Sequence, residues 1–292
     1  MIRTTLLSFF LLTQTPGLFA QYAQHGTTTF SKNARACLYA DYPYDASLVE
    51  GALKTKLADA GLGSDSKAGD GFRVYKGVVF NVLSAEKIDL YWKVEEKKPQ
   101  ATVYLMASKR YDNFLRRETD SLILENGLAF LNRFANDVQA FKLNRDMAAQ
   151  QERITDEEKK ARAMAKEAES LQKQKSKLES KIATNRIETG SLKSDWEYQQ
   201  KTLETIRTKT ATLDQMEALK KEMAKQEDAV EKAEKKYRSS VKDGEELAAD
   251  LQEAEQDIAK NKSAQETQAA EVKRQKETLE TLRTELSRIP IQ

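Results

Sequence analysis

Between residues 140 and 289 there is no proline, no phenylalanine after Phe141, and only two glycines, Gly190 and Gly244. Apolar residues return at alternating steps of three and four, and Lys, Glu, Gln, Asp, Ala and Thr fill nearly everything between them. Such a stretch can bury only a narrow stripe, so it folds as long helices zipped along seams. The first seam steps without a slip through Ile154, Glu157, Ala161, Met164, Ala168, Leu171, Lys175, Leu178, Ile182 and Asn185. Trp196, Leu203, Ile206, Thr210 and Leu213 hold one register, and Met216, Met223, Val230, Tyr237 and Val241 hold another. The three-residue change from Leu213 to Met216 has the form of a stammer, which overwinds a supercoil locally. The last seam, from Leu247 to Ile289, is apolar at its ends and polar in the middle, at Asn261, Gln265, Gln268 and Gln275. A polar seam residue either fixes register or marks loose packing.

The two glycines supply turn signals. Gly190 lies in an Asn, Thr, Gly, Ser cluster in which glycine suits a helix end and Ser191 can cap the next helix. Gly244 follows Asp243, another turn pair, although Val241, Gly244, Ala248 and Leu251 also keep helical steps. Turns near 188–191, and optionally at 243–245, divide the stretch into helices of nearly equal length, 144–187, 192–242 and 246–289. The expected architecture is a long all-α antiparallel coiled coil or helical bundle folded back on itself.

Residues 1–20 read as a secretory signal peptide: Arg3, an apolar run over 6–12, then Pro16, Gly17 and Ala20 before Gln21. The run is too short to span a bilayer. Export implies a periplasmic or secreted mature protein, with no transmembrane span once the signal is removed. The alternative is an ordinary buried N-terminal element.

Residues 21–143 have the texture of a compact head. A strand around Leu38 ends at Tyr42, Pro43 and Tyr44, and Asp45 caps a helix whose Leu48, Val49, Ala52, Leu53 and Leu57 share one face. A polar, glycine-rich loop over 63–71 follows. Strands are expected over 72–81, 87–94 and 101–107, with Ile88, Leu90, Trp92 and Val94 alternating most cleanly. Thr119 or Asp120 then caps a helix with Leu124, Leu128, Leu131, Ala135 and Val138 on a stripe widened by Phe130 and Phe134. A wide stripe suits packing on a sheet. The expected head is α+β in the order β-α-β-β-β-α, followed by the coiled-coil region over 144–292.

Charge disfavours one partner class. Residues 144–292 carry 30 basic and 31 acidic side chains, and residues 21–143 carry 17 and 15. Nucleic-acid binding needs a surplus of unpaired positive charge, and the signs here are mixed. One histidine, His25, and one cysteine, Cys37, leave no ordinary zinc set, no disulfide within the chain and no Ser-His-Asp triad. Gly61, Gly63, Gly69 and Gly71 match neither phosphate-loop nor dinucleotide spacing. No catalytic residue, metal or cofactor is therefore expected.

The best partner-contact candidate is the run over 108–117, where Lys109, Arg110, Tyr111, Phe114, Arg116 and Arg117 combine the residue types that interfaces favour. The alternative is a plain surface loop with Phe114 and Leu115 tucked into the core. The layout, an exported α+β head followed by a charged coiled coil, is similar to one common among bacterial envelope proteins, and no motif names a family. The composition points to a non-enzymatic structural or scaffolding protein of the cell envelope. Its expected partners are proteins, with self-association through the coiled coil open. The alternative reading is a binding module whose head recognises a peptide or glycan.

Overall fold

The computed structural model describes residues 22–110 and 113–290, so the expected signal peptide lies outside the described residues. The elements run β1 (Gln24–Phe30), β2 (Asn33–Tyr42), α1 (Ala46–Asp59), β3 (Ser66–Gly69), β4 (Phe72–Phe80), β5 (Ser84–Lys97), β6 (Gln100–Ser108), α2 (Ser121–Arg207), a short 3-10 turn (Leu213–Gln215) and α3 (Met216–Ser287). The chain divides into two compact units. One runs to Ala149 and also takes in the residues from Leu279 onward; the other is Gln150–Thr278.

The head contains one six-stranded sheet in the order β1-β2-β6-β5-β4-β3, with every neighbouring pair antiparallel. The strand and helix order corrects the expected β-α-β-β-β-α. Two edge strands escaped the pattern. β1 buries only Phe30, so its QHGTTTF sequence has no apolar alternation to detect. β3 has four residues and no buried side chain, inside what reads as a glycine-rich loop.

Alternation in the strands sorts side chains onto two faces. Leu38, Ala40 and Tyr42 of β2, Ile88, Leu90 and Trp92 of β5, and Val103 and Leu105 of β6 face the helices. They meet Val49, Leu53 and Leu57 of α1 and Phe130, Leu131, Phe134 and Val138 of α2 in one core. Asp45 caps α1 as its position suggests, accepting from the Leu48 amide at 2.8 Å. The hydroxyl of Tyr42, buried under α2, donates to the Leu131 carbonyl at 2.7 Å, and its ring meets Phe134 edge to face. Gly127 lets α2 sit close to β2, because a β-carbon there would come within 2.4 Å of Leu38 Cδ1.

In the second unit the α2 and α3 residues pair antiparallel. Gln150 donates through Nε2 to the Gln275 carbonyl at 2.9 Å and also to its Oε1. Gln268 does the same to Glu157, at 3.0 Å to the carbonyl and 2.6 Å to Oε2. Gln226 repeats the clasp on Gln199, at 3.0 and 2.8 Å. Between them Asn185 donates to the Ser240 carbonyl at 3.0 Å, and Thr189 shares a 2.6 Å hydroxyl contact with Ser240. From Gln150 through Glu157 and Asn185 to Gln199, and from Gln275 through Gln268 and Ser240 to Gln226, both helices advance by the same multiples of seven in opposite directions. Ile154, Leu178, Leu203, Ile206, Ala233 and Ala254 are buried along this seam, and Trp196 stacks on Tyr237 at 5.5 Å. Ion pairs Lys175–Glu255 (2.7 Å) and Lys276–Glu158 (2.8 Å) flank it. Exposed pairs of this kind contribute little individually.

The expected turns are corrected here. Residues 188–191 and 243–245 are helical, and the chain reverses at 208–215 instead. Three β-branched residues, Thr208, Thr210 and Thr212, weaken the helix there. Gln215 forms a capping box with Thr212 that starts the return. The register change between Leu213 and Met216 is thus the reversal itself, with Leu213 92 % exposed.

Candidate interaction surface of the head

The sheet face turned away from α1 and α2 carries a row of polar and aromatic side chains set by strand register. Gln24 pairs with Tyr39, Tyr39 with Tyr104, and Tyr104 with Lys93, which places β1, β2, β6 and β5 side chains in one line. The Tyr39 ring lies over Gly26, where a β-carbon would meet it at 2.8 Å, and its hydroxyl donates to Gln24 Oε1 at 2.7 Å. Glycine at 26 is therefore what lets the ring lie down on the sheet. Tyr104 sits beside it, centroids 6.1 Å apart and planes 31° from parallel. The Lys93 ammonium lies 5.0 Å from the Tyr104 centroid and 5.1 Å from that of Phe72.

A second row runs beside the first. Asp41 pairs with Thr102 and Thr102 with Glu95, and the Thr102 hydroxyl donates to Asp41. Lys97 donates to the Tyr104 hydroxyl at 2.9 Å, and that hydrogen bond raises the lysine pKa above its ordinary value. Lys93 and Lys97 are thus balanced by Asp41 and Glu95. The surface combines flat rings with hydrogen-bond donors and acceptors at close to zero net charge.

Towards the other end of this face the side chains close into a small aromatic core. Phe30 meets Phe72, Tyr91 and Phe114 at centroid distances of 5.7, 5.2 and 5.8 Å, all edge to face. Cys37, Val74 and Met106 complete the cluster. Burial pushes the Cys37 thiol up to about 11, with Lys93 pulling weakly the other way. Arg35 stacks its guanidinium 4.7 Å from the Phe114 centroid.

This geometry redistributes the expected contact residues. Phe114 is a lid of the aromatic cluster, 8 % exposed, and Leu115 enters the core on the opposite face. Phe114 is therefore removed from the candidate patch, for the reason the alternative reading supplies. Lys109 is held 2.7 Å from Asp120, and its amide donates to the Asn113 carbonyl. Asp120 does not cap α2 with its carboxylate. It turns back to accept from Lys109, the Arg116 amide and the Thr119 hydroxyl, and these bonds pull its pKa down to about 2. Arg110, Arg116 and Arg117 remain exposed, without an aromatic partner among the described residues; Tyr111 lies outside them. The Tyr39, Tyr104 and Lys93 row was missed because its members sit on three strands, and only the register joins them.

Other polar groups of the head are engaged in structure. Asp65 takes both arms of Arg73, at 2.5 and 2.6 Å, which holds its carboxyl below the ordinary range. A groove beside α2 is lined by Lys56, Val82, Phe130, Arg133, Asn136, Asp137 and Pro290, with Lys56 2.9 Å from Asp137 and Asn136 donating to the Pro290 carbonyl. Among the described residues no cluster of His, Cys, Asp and Glu could hold a metal ion, and no helix is long and apolar enough to cross a membrane. Comparison with protein-family models, curated proteins and solved structures finds no match.

Proposed function

We propose that the chain is a non-enzymatic, exported scaffolding protein of the cell envelope, in which an antiparallel coiled coil sets a fixed length and the head makes the partner contact. The observation that carries this reading is the matched spacing of the polar clasps Gln150–Gln275, Glu157–Gln268 and Gln199–Gln226. A slip of one heptad sets Asn185 against Ala233 or Leu247 and Gln199 against Leu219 or Ala233, so the Asn185–Ser240 and Gln199–Gln226 bonds are lost and the pairing favours one register and one length. The 58 residues of α2 from Gln150 to Arg207 span about 87 Å at 1.5 Å per residue. Arg3, the apolar run over 6–12 and Ala20 support export. Photoreactive residues at position 104 and, separately, at position 213 test the reading in the native envelope. A reproducible protein partner at position 104 supports it. Absence of a partner at both positions, or turnover of an envelope polymer by the purified protein, rejects it.

The Tyr39–Tyr104 row favours a second reading, in which the head binds a neutral glycan. Sugar rings offer an apolar C–H face to aromatic rings, and their hydroxyls suit an array of donors and acceptors such as Gln24, Asp41 and Lys97. The balanced charge of the surface argues against a strongly charged ligand. Retention on immobilised neutral polysaccharides, lost in Tyr39→Ala and Tyr104→Ala, supports glycan binding; no retention of the wild type removes it.

A further inference from the structure

The two edges of the sheet are unlike. β3 is four residues long, carries Lys67, and its register shifts between Lys67 and Gly69. Short length, a lysine and a bulge are the usual defences of an edge strand against pairing with another chain. β1 has none of them. It is seven residues long, pairs with β2 at every position without a shift, and contains no proline, lysine or acidic residue.

The turn between β1 and β2 determines which groups β1 leaves unpaired. Ser31 and Lys32 have φ of 49° and 65°, the left-handed pair of a two-residue hairpin turn. In such a turn Phe30 and Asn33 exchange both backbone hydrogen bonds, and alternation then points Thr28, Gly26 and Gln24 inward. The N–H and C=O groups of His25, Thr27 and Thr29 are left on the outer edge. Among the described residues no backbone hydrogen bond outside the ladder reaches them. Their side chains are exposed as well.

We infer that β1 pairs antiparallel with β1 of a second copy of this chain, about a two-fold axis at Thr27. That register sets Thr27 against Thr27 and His25 against Thr29 and satisfies the outward N–H and C=O groups of both strands. Threonine pairs are favourable cross-strand neighbours, and no like charges oppose each other. A foreign peptide added to an edge gains specificity from side-chain pockets beside it. The small, uniform side chains of β1 offer none, whereas a second copy brings the matching register with it. This places self-association in the head rather than in the helices, whose seam residues already face each other.

Sedimentation of the mature chain tests the inference. The wild type forms a concentration-dependent dimer, and Thr27→Pro abolishes it without removing an inward β1–β2 hydrogen bond, because the Thr27 N–H points outward. Thr27→Lys, which keeps the backbone donor and adds facing charges, shifts the equilibrium to monomer while the circular dichroism spectrum stays unchanged. Amide hydrogen exchange adds a readout independent of the variants: His25, Thr27 and Thr29 gain protection as concentration rises. A wild type that is monomeric at every concentration overturns the inference. So does a dimer that both variants leave intact.

Discussion

Gly244 faces Asn185 with no room for a β-carbon: one built there would lie 2.6 Å from Asn185 Oδ1. Asn185 is the residue that reaches the Ser240 carbonyl, so the glycine makes room for an inter-helix hydrogen bond. Gly190 is also inside a helix and has nothing within 4 Å of the same position. The two substitutions to alanine therefore have opposite signs. Gly190→Ala stabilises the helix pair by about 1 kcal/mol, the helix-propensity difference. Gly244→Ala loses that gain to the displaced Asn185 and is net destabilising, by about 1 kcal/mol. Thermal denaturation of both variants checks the signs.

Gly127 gives a third outcome, since its neighbour is a core side chain. Gly127→Val drives two methyl groups towards Leu38, which is buried in the sheet, and costs about 1–3 kcal/mol through overpacking. The shorter Leu38→Ala in the Gly127→Val background recovers part of the loss, whereas it is destabilising alone. Denaturant titration of the single and double variants measures this coupling.

Asp120 makes the head sensitive to acid. Its carboxyl is lowered from 3.8 to about 2, chiefly by Lys109, so its contribution is fully present above its unfolded-state value and is lost as pH falls through about 2. Asp120→Asn lowers stability at neutral pH. The gap between variant and wild type narrows as pH is brought down through that window, as denaturant midpoints measured at each pH will show.

Cys37 is shielded as well as raised in pKa, and the reactive form of a cysteine is the thiolate. Iodoacetamide at mildly alkaline pH leaves the native protein unmodified and labels Cys37 once denaturant unfolds the head, as read by intact mass. Rapid native labelling would mean that the aromatic cluster opens.

Tyr42→Phe removes a buried donor and leaves the Leu131 carbonyl to its helical bond alone. The loss is about 1 kcal/mol, with the spectrum of the folded head unchanged.

The helix seam was legible wherever a rule of local spacing governs it. The steps from Ile154 to Asn185 continue, unbroken, through Thr189, Leu192, Trp196, Gln199, Leu203 and Ile206. Gly190 hid that continuity, because a glycine beside Asn, Thr and Ser carries every local mark of a helix end. Pairing with α3 overrode the local preference, as tertiary packing commonly does. The real reversal left its trace as a register change after Leu213, readable as a stammer or as a turn until the partner helix is known. In the head, β2, α1, β4, β5 and β6 were legible because each alternates or cycles over a buried face. β1 and β3 bury too little for such a pattern. The Tyr39, Tyr104 and Lys93 row depends on inter-strand register, which no single strand encodes.

The residues after Leu279 belong with the head, where the Pro290 carbonyl accepts from Asn136. A chain emerging from the ribosome, or threaded N-terminus first across a membrane, presents its whole sheet well before this clasp. In the interval the groove beside Lys56 and Phe130 lacks one of its walls. Completion of the head is thereby timed by the synthesis of everything between, and a premature stop within residues 150–278 leaves a sheet that can form beside a groove without its Pro290 wall.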